Sequence, residues 1–263
     1  MEPVARQFLD DLRAAVEADP RIVGLLLAGS TATGEMDEFS DVDTVIVSTD
    51  ESHSELLAGA QEFAASLGPL VAAFTGEHVG EPRLLIALYG PPLLHVDLKF
   101  VGLSDLAPRA EDGVVAWERE GLVGAALEGS AAVWPMPDPQ WIEDRFWVWV
   151  HYSAAKMGRG ELFECLDALG MIRGLVLGPL LAVRAGARPQ GARRLERLAP
   201  EEVPALAATV GDHSAEGCAG ALRAAIELYR ELRDPAIERR EAAEEASVAY
   251  LDGVASRAAR PSR

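Results

Sequence analysis

Leu27-Ala-Gly-Ser-Thr-Ala-Thr-Gly34, followed closely by Phe39-Ser-Asp-Val-Asp-Thr-Val-Ile-Val47, is the stretch on which the fold turns. Asp41 to Val47 is rich in β-branched residues and reads as a strand. Ile22 to Ala28 is a short apolar run that stops at Gly29, as a buried strand does. Between them lies a polar, glycine-containing segment, Gly29 to Ser40. Alternate residues of a strand share a face, so Asp41 and Asp43 project together while Val42 points away. Two like charges held side by side repel. A divalent cation would compensate them, and oxygen-only ligands suit Mg²⁺, which takes one or two carboxylates plus phosphate oxygens of a substrate.

A third acid stands in Leu93-Leu-His-Val-Asp-Leu-Lys-Phe100. Leu94, Val96 and Leu98 share one face; His95, Asp97 and Lys99 share the other. A carboxylate on a strand is costly to bury unless paired or metal-bound. If this strand neighbours the Asp41–Asp43 strand, three carboxylates converge, enough for two metals about 3.5–4 Å apart. Ahead of the acid pair, glycine lets the backbone approach a phosphate closely. Backbone N–H groups after Gly29, with the hydroxyls of Ser30 and Thr31, suit a triphosphate. The Gly-Lys-Ser/Thr ending of a P-loop is absent.

Working outward, residues 3–18 carry apolar positions at helical spacing, and 52–67 also read as a helix. Leu70–Thr75, Arg83–Tyr89 and Leu93–Val101 read as strands. After about residue 104 strand signals fade. Trp134-Pro-Met-Pro-Asp-Pro139 reads as a connector, which sets a boundary between residues 1–134 and 135–263. Beyond it four helices are expected, over about 139–157, 160–186, 214–232 and 235–258. The fold class is thus α/β (α+β): a mixed-sheet domain followed by a helical bundle. A cleft between the two is the default place for a ligand.

The chain has 263 residues and a net charge of −18, which argues against nucleic-acid binding. Residues 1–130 hold 7 basic and 23 acidic side chains, a net −16, so that half attracts cations. Cys165 and Cys218 read as core thiols. Met1 to Arg6 shows no signal-peptide pattern, and no uninterrupted apolar run of about 18 residues suggests a membrane span. A reduced, cytoplasmic protein is expected, with its oligomeric state left open.

The order of strand, Gly29-Ser30 turn, Asp41-x-Asp43 strand and distal Asp97 resembles the nucleotidyltransferase fold of the DNA polymerase β superfamily, over about residues 21–100. The resemblance implies metal ligation by Asp41, Asp43 and Asp97, with two Mg²⁺ ions. It implies triphosphate contacts from Gly29, Ser30 and Ser40. It also implies ATP or another nucleoside triphosphate as co-substrate, with transfer of a nucleoside monophosphate and release of pyrophosphate.

The helical half resembles the C-terminal bundles of aminoglycoside and lincosamide nucleotidyltransferases. Within it Glu161, Glu164 and Asp167 are candidates to bind an amino group of a cationic small-molecule acceptor, one of them as general base; Asp97 is an alternative base. Their spacing is equally that of solvated surface acids. The chain has 22 Arg and only two Lys, Lys99 and Lys156, each a candidate phosphate contact or a surface residue. The aromatic run Trp141, Phe146, Trp147, Trp149 and Tyr152 reads as core. His53, His78 and His213 read as surface residues, and His95 either orients Asp97 or sits at the sheet surface. Alternative functions are nucleotidylation of a protein side chain, as in toxin-like members of the superfamily, and a non-catalytic nucleotide-binding module.

Overall fold

The structure, a computed structural model, describes residues 3–258. Met1 and Glu2, on which part of the leader reading rests, lie outside them. The chain divides into two compact units, Met1–Trp134 and Pro135–Arg263.

In the first unit the order is α1 (Pro3–Ala18), β1 (Ile22–Leu27), α2 (Gly29–Thr33), β2 (Val42–Ser48), α3 (Asp50–Ala58), α4 (Ala60–Ser66), β3 (Leu70–Gly76), β4 (Glu81–Tyr89), β5 (Leu94–Gly102), β6 (Val114–Glu118) and α5 (Leu122–Leu127). The sheet has six strands in the order β3-β4-β5-β2-β1-β6. β2 and β5 run parallel, and every other pair is antiparallel, which makes the sheet mixed. Alternation sorts the strand residues into two faces. Val42, Ile46, Val96, Leu98 and Phe100 join Leu12 of α1 and Leu56 of α3 in the main core. On the other side Val23, Leu26, Val47 and Val101 meet Val123 of α5 in a smaller cluster.

Three expectations change here. The segment after Gly29 is not wholly irregular: α2 occupies its first five residues. The 52–67 helix is two, broken at Gly59, whose N–H caps α3 on Glu55 O while its own carbonyl opens α4. β6 was not foreseen. It is five residues long and lies at the sheet edge against β1, where Val114 and Val115 stay exposed, so no alternating pattern marks it.

The second unit holds α6 (Pro139–Gly158), α7 (Leu162–Ile172), α8 (Gly178–Arg184), α9 (Leu195–Leu198), α10 (Val203–Ala207), α11 (Ala215–Leu232) and α12 (Glu241–Ala258). Asp138 caps α6 by accepting from Gln140 and Trp141 N–H. α7 and α8 are one helical run joined by a π turn, Arg173–Leu177. That run, Leu162–Arg184, is long and apolar enough to cross a membrane by length and composition. Cys165, Leu169, Ile172, Val176 and Leu181 within it are buried in the unit's core, the position of a central bundle helix.

The last helix begins at Glu241, not 235. The backbone N–H groups of Glu238 and Arg240 bond instead to the Gln140 and Glu143 side chains of α6. Glu143 is fully buried and also accepts from Trp147 Nε1 at 3.0 Å and Tyr229 Oη at 2.7 Å, so one carboxylate joins α6, α11 and the approach to α12. Burial, with Glu143 beside it, pushes the Tyr229 phenol up. Phe146 and Trp147 are core, as read from the sequence. Trp141 and Tyr152 are 40% and 41% exposed, a correction. They fall with Arg145 and Val148 on the outer stripe of α6, and the Arg145 guanidinium covers the Trp141 ring at 4.2 Å. Cys165 and Cys218 are both buried.

Candidate active site

The parallel pairing of β2 and β5 places Asp43 directly across from Asp97. Asp41 stands one residue before β2, on the same side as Asp43. One oxygen from each of the three carboxylates lies within 4.8 Å of the others. The convergence that depended on the two strands being neighbours is therefore present. All three acids are half-buried. Burial pushes the Asp97 carboxyl up, and the Asp41 charge adds to this; His95 opposes it. His95 Nε2 lies 3.1 Å from Asp97 Oδ1, so His95 does contact the acid.

Gly29 opens α2 with φ +52°, a left-handed conformation that favours glycine. A β-carbon there would stand 2.2 Å from Asp43 Oδ2. The backbone of Asp43 is held from the same segment. Its carbonyl accepts from Ala28 N–H at 3.0 Å, and its N–H donates to Thr31 Oγ1 at 3.2 Å. Thr31 is buried, so it acts as a brace between α2 and β2. Ser30, half-buried, stands in the single turn of α2. The Ser40 hydroxyl belongs to the turn before Asp41: it donates to Asp37 Oδ1 and accepts from Asp37 N–H, both at 2.9 Å.

Lys99 shares the face of Asp97 but is committed to Glu81 at 2.8 Å, a partner that sequence reading missed. Glu81 also takes Arg83 at 2.8 Å. These two cations pull the Glu81 carboxyl down to about 2. The pairing reaches from β4 to β5 and could be found only from the sheet register.

The remaining residues form a surface group within the second unit. Lys156 Nζ lies 2.7 Å from Glu161 Oε2 and 5.2 Å from the Tyr152 ring centroid. The Tyr152 hydroxyl donates to Glu164. Glu164 in turn pushes the phenol up, and Glu161 raises the Lys156 ammonium. Asp167 is exposed on α7, one turn beyond Glu164. Tyr152, read as core, thus joins Lys156 in tying α6 to this acidic face.

Residues 6–82 match the family described as a nucleotidyltransferase domain. The match takes in Gly29, Ser30, Asp41 and Asp43 and ends before Asp97. Over those residues the chain resembles a nucleotidyltransferase domain. Among solved structures the chain is similar to an aminoglycoside 6-adenyltransferase from Bacillus subtilis, at 15% identity over 94% of this chain and 97% of that one, with a TM-score of 0.40. It is also similar to a nucleotidyltransferase-like protein from Exiguobacterium sibiricum, at 12% identity over 98% and 82%, TM-score 0.35. A spectinomycin adenyltransferase from Enterococcus faecialis, solved with ATP and spectinomycin, gives 10% identity over 95% and 99%, TM-score 0.30. No curated protein matches the chain.

Proposed function

We propose that the protein transfers a nucleoside monophosphate, AMP from ATP, to a hydroxyl of a small acceptor and releases pyrophosphate. The observation that carries this reading is the meeting of Asp41, Asp43 and Asp97 oxygens within 4.8 Å beside the Gly29 turn. Three carboxylate oxygens are a donor set for a hard cation, and burial, with the Asp41 charge adding to it, pushes the Asp97 carboxyl up. These three residues would hold Mg²⁺, two ions in this reading. Bound there, magnesium supplies charge neutralisation for the phosphates and favours ionisation of the acceptor hydroxyl.

The chain's own residues do the positioning. Gly29 leaves room for phosphate oxygens beside Asp43, and Ser30 offers a hydroxyl to them. Thr31 and Ala28 hold the Asp43 backbone in place, while His95 steadies Asp97. In the transfer the acceptor oxygen bonds to the α-phosphorus, and the bond to the bridging oxygen breaks. Pyrophosphate takes that electron pair, and the hydroxyl proton passes to a carboxylate. In this reading Asp97 takes that role, with Glu161, Glu164 and Asp167 as alternatives. Fixed geometry and electrostatics supply most of the rate.

The acidic character of residues 1–130 and the Glu161–Glu164–Asp167 face support a cationic acceptor, aminoglycoside-like or lincosamide-like. A cytoplasmic setting, where nucleoside triphosphates are abundant, belongs to the same reading. The test is pyrophosphate release from each of the four ribonucleoside triphosphates with Mg²⁺, against aminoglycosides and lincosamides, with Asp43→Asn as control. Release that needs one acceptor and vanishes in the variant supports the reading. Release that needs only a proteome extract moves it to protein nucleotidylation.

A further inference from the structure

The open side of the sheet carries a second chemistry next to the acids. Residues paired across neighbouring strands point to the same side. Asp43 pairs with Asp97, Asp97 with Ile86, and Ile86 with Phe74. These four make one row across β2, β5, β4 and β3. The adjoining row holds His95, Leu88 and Ala72. Strands lie about 4.8 Å apart, which puts Phe74 about 10 Å from Asp97. Phe74 is 53% exposed, and Ile86 and Leu88 are partly exposed. The α5 cluster covers Val47 and Val101 on this side but reaches none of these residues. The Phe74 ring packs against the His78 ring at 5.6 Å between centroids, and Glu81, Arg83 and Lys99 are paired among themselves. An apolar shelf of Ile86, Leu88 and Phe74, edged by His95 and His78, therefore continues the line of the carboxylates.

Its direction follows from the transfer reading, on which this inference rests. Gly29 and Ser30 approach Asp43 from the β1 side of β2. An in-line displacement puts leaving group and nucleophile on opposite sides of the reacting phosphorus. With the triphosphate at Gly29 and Ser30, the acceptor comes in over β4 and β3. We infer that Ile86, Leu88 and Phe74 receive an apolar or aromatic face of the acceptor, adjacent to its reacting hydroxyl. The acceptor is then an amphiphilic polyhydroxyl compound rather than a wholly polar one, and Phe74 is a specificity-determining residue.

The test titrates methyl and phenyl β-D-glucoside into protein loaded with Mg²⁺ and a non-hydrolysable ATP analogue. Phenyl glucoside is expected to bind about fivefold tighter or more, from ring stacking and apolar burial. Phe74→Ala should erase that preference. Val71→Ala, exposed on the same strand but outside the row, should keep it. Equal binding of the two glucosides, a preference that survives in Phe74→Ala, or no phenyl glucoside binding overturns the inference. So does a loss of nucleotide affinity in Phe74→Ala, which would put the base on the shelf. A change of mass in solution on Phe74→Ala would assign the shelf to a second copy instead. Failure of the unaltered protein to bind the Mg²⁺–nucleotide is a separate result, seen in the first step, and sinks the transfer reading itself.

Discussion

Gly29 and Asp43 share one small volume: a β-carbon on the first residue of α2 would stand 2.2 Å from the carboxylate of β2. The glycine is needed twice over, for its φ of +52° and for the space it leaves. Gly29→Ala should cost about 1–2 kcal/mol from the left-handed backbone alone. Displacing the acid by about an ångström should lower the transfer rate ~100-fold. Urea unfolding and initial rates on the same preparation check both; an alanine variant with full activity would break the link between turn and acid.

Burial pushes the Asp97 carboxyl up, and the like charge of Asp41 beside it adds to that push. Asp41→Asn should therefore leave the metal-free protein as stable as before, or more stable by up to ~1 kcal/mol. The same change should abolish stabilisation by Mg²⁺, which at 100-fold excess over Kd is worth about 2.7 kcal/mol in the unaltered chain. Thermal melts with Mg²⁺ and with chelator compare the two directly.

The acids themselves were legible in the sequence because a strand's period of two fixes which residues share a face. Asp41, Asp43 and Asp97 could be placed on strand faces before any pairing was known. What the sequence left open was partnership between strands. Lys99 looked available for phosphate, yet Glu81 claims it from the next strand. β6 escaped notice because an exposed five-residue edge strand carries no burial pattern. In the bundle, Tyr152 passed for core because the aromatic run hides which stripe of α6 faces out.

Glu81 gives a pH signature. Arg83 and Lys99 hold its carboxyl at about 2 in the folded protein, against 4.5 without such partners. A depressed folded value means stability that is complete above about 4.5 and is lost as pH falls through about 2. Glu81→Gln should then show its deficit at neutral pH, with the gap to the unaltered protein narrowing toward pH 3. Denaturant midpoints at pH 7 and pH 3 measure the gap; a gap that widens on acidification would contradict the pairing.

Glu143 holds the bundle from inside. Truncation to alanine leaves the Trp147 and Tyr229 donors buried without an acceptor, a loss of about 3–5 kcal/mol. Tyr229→Phe removes one donor only and should cost about 1–2 kcal/mol. Calorimetry on both variants distinguishes this node from a surface acid, whose removal would scarcely move the melt.

The most direct measurement of the central claim is Mn²⁺ titration, by calorimetry or spin resonance, in the presence of a non-hydrolysable ATP analogue. Asp41, Asp43 and Asp97 as a shared cation site should give two ions per chain in the unaltered protein. Asp43→Asn and Asp97→Asn should each weaken binding by about tenfold or more. Unchanged affinity and stoichiometry in both variants would contradict the account, because the three oxygens within 4.8 Å would then not be the place where the metal sits.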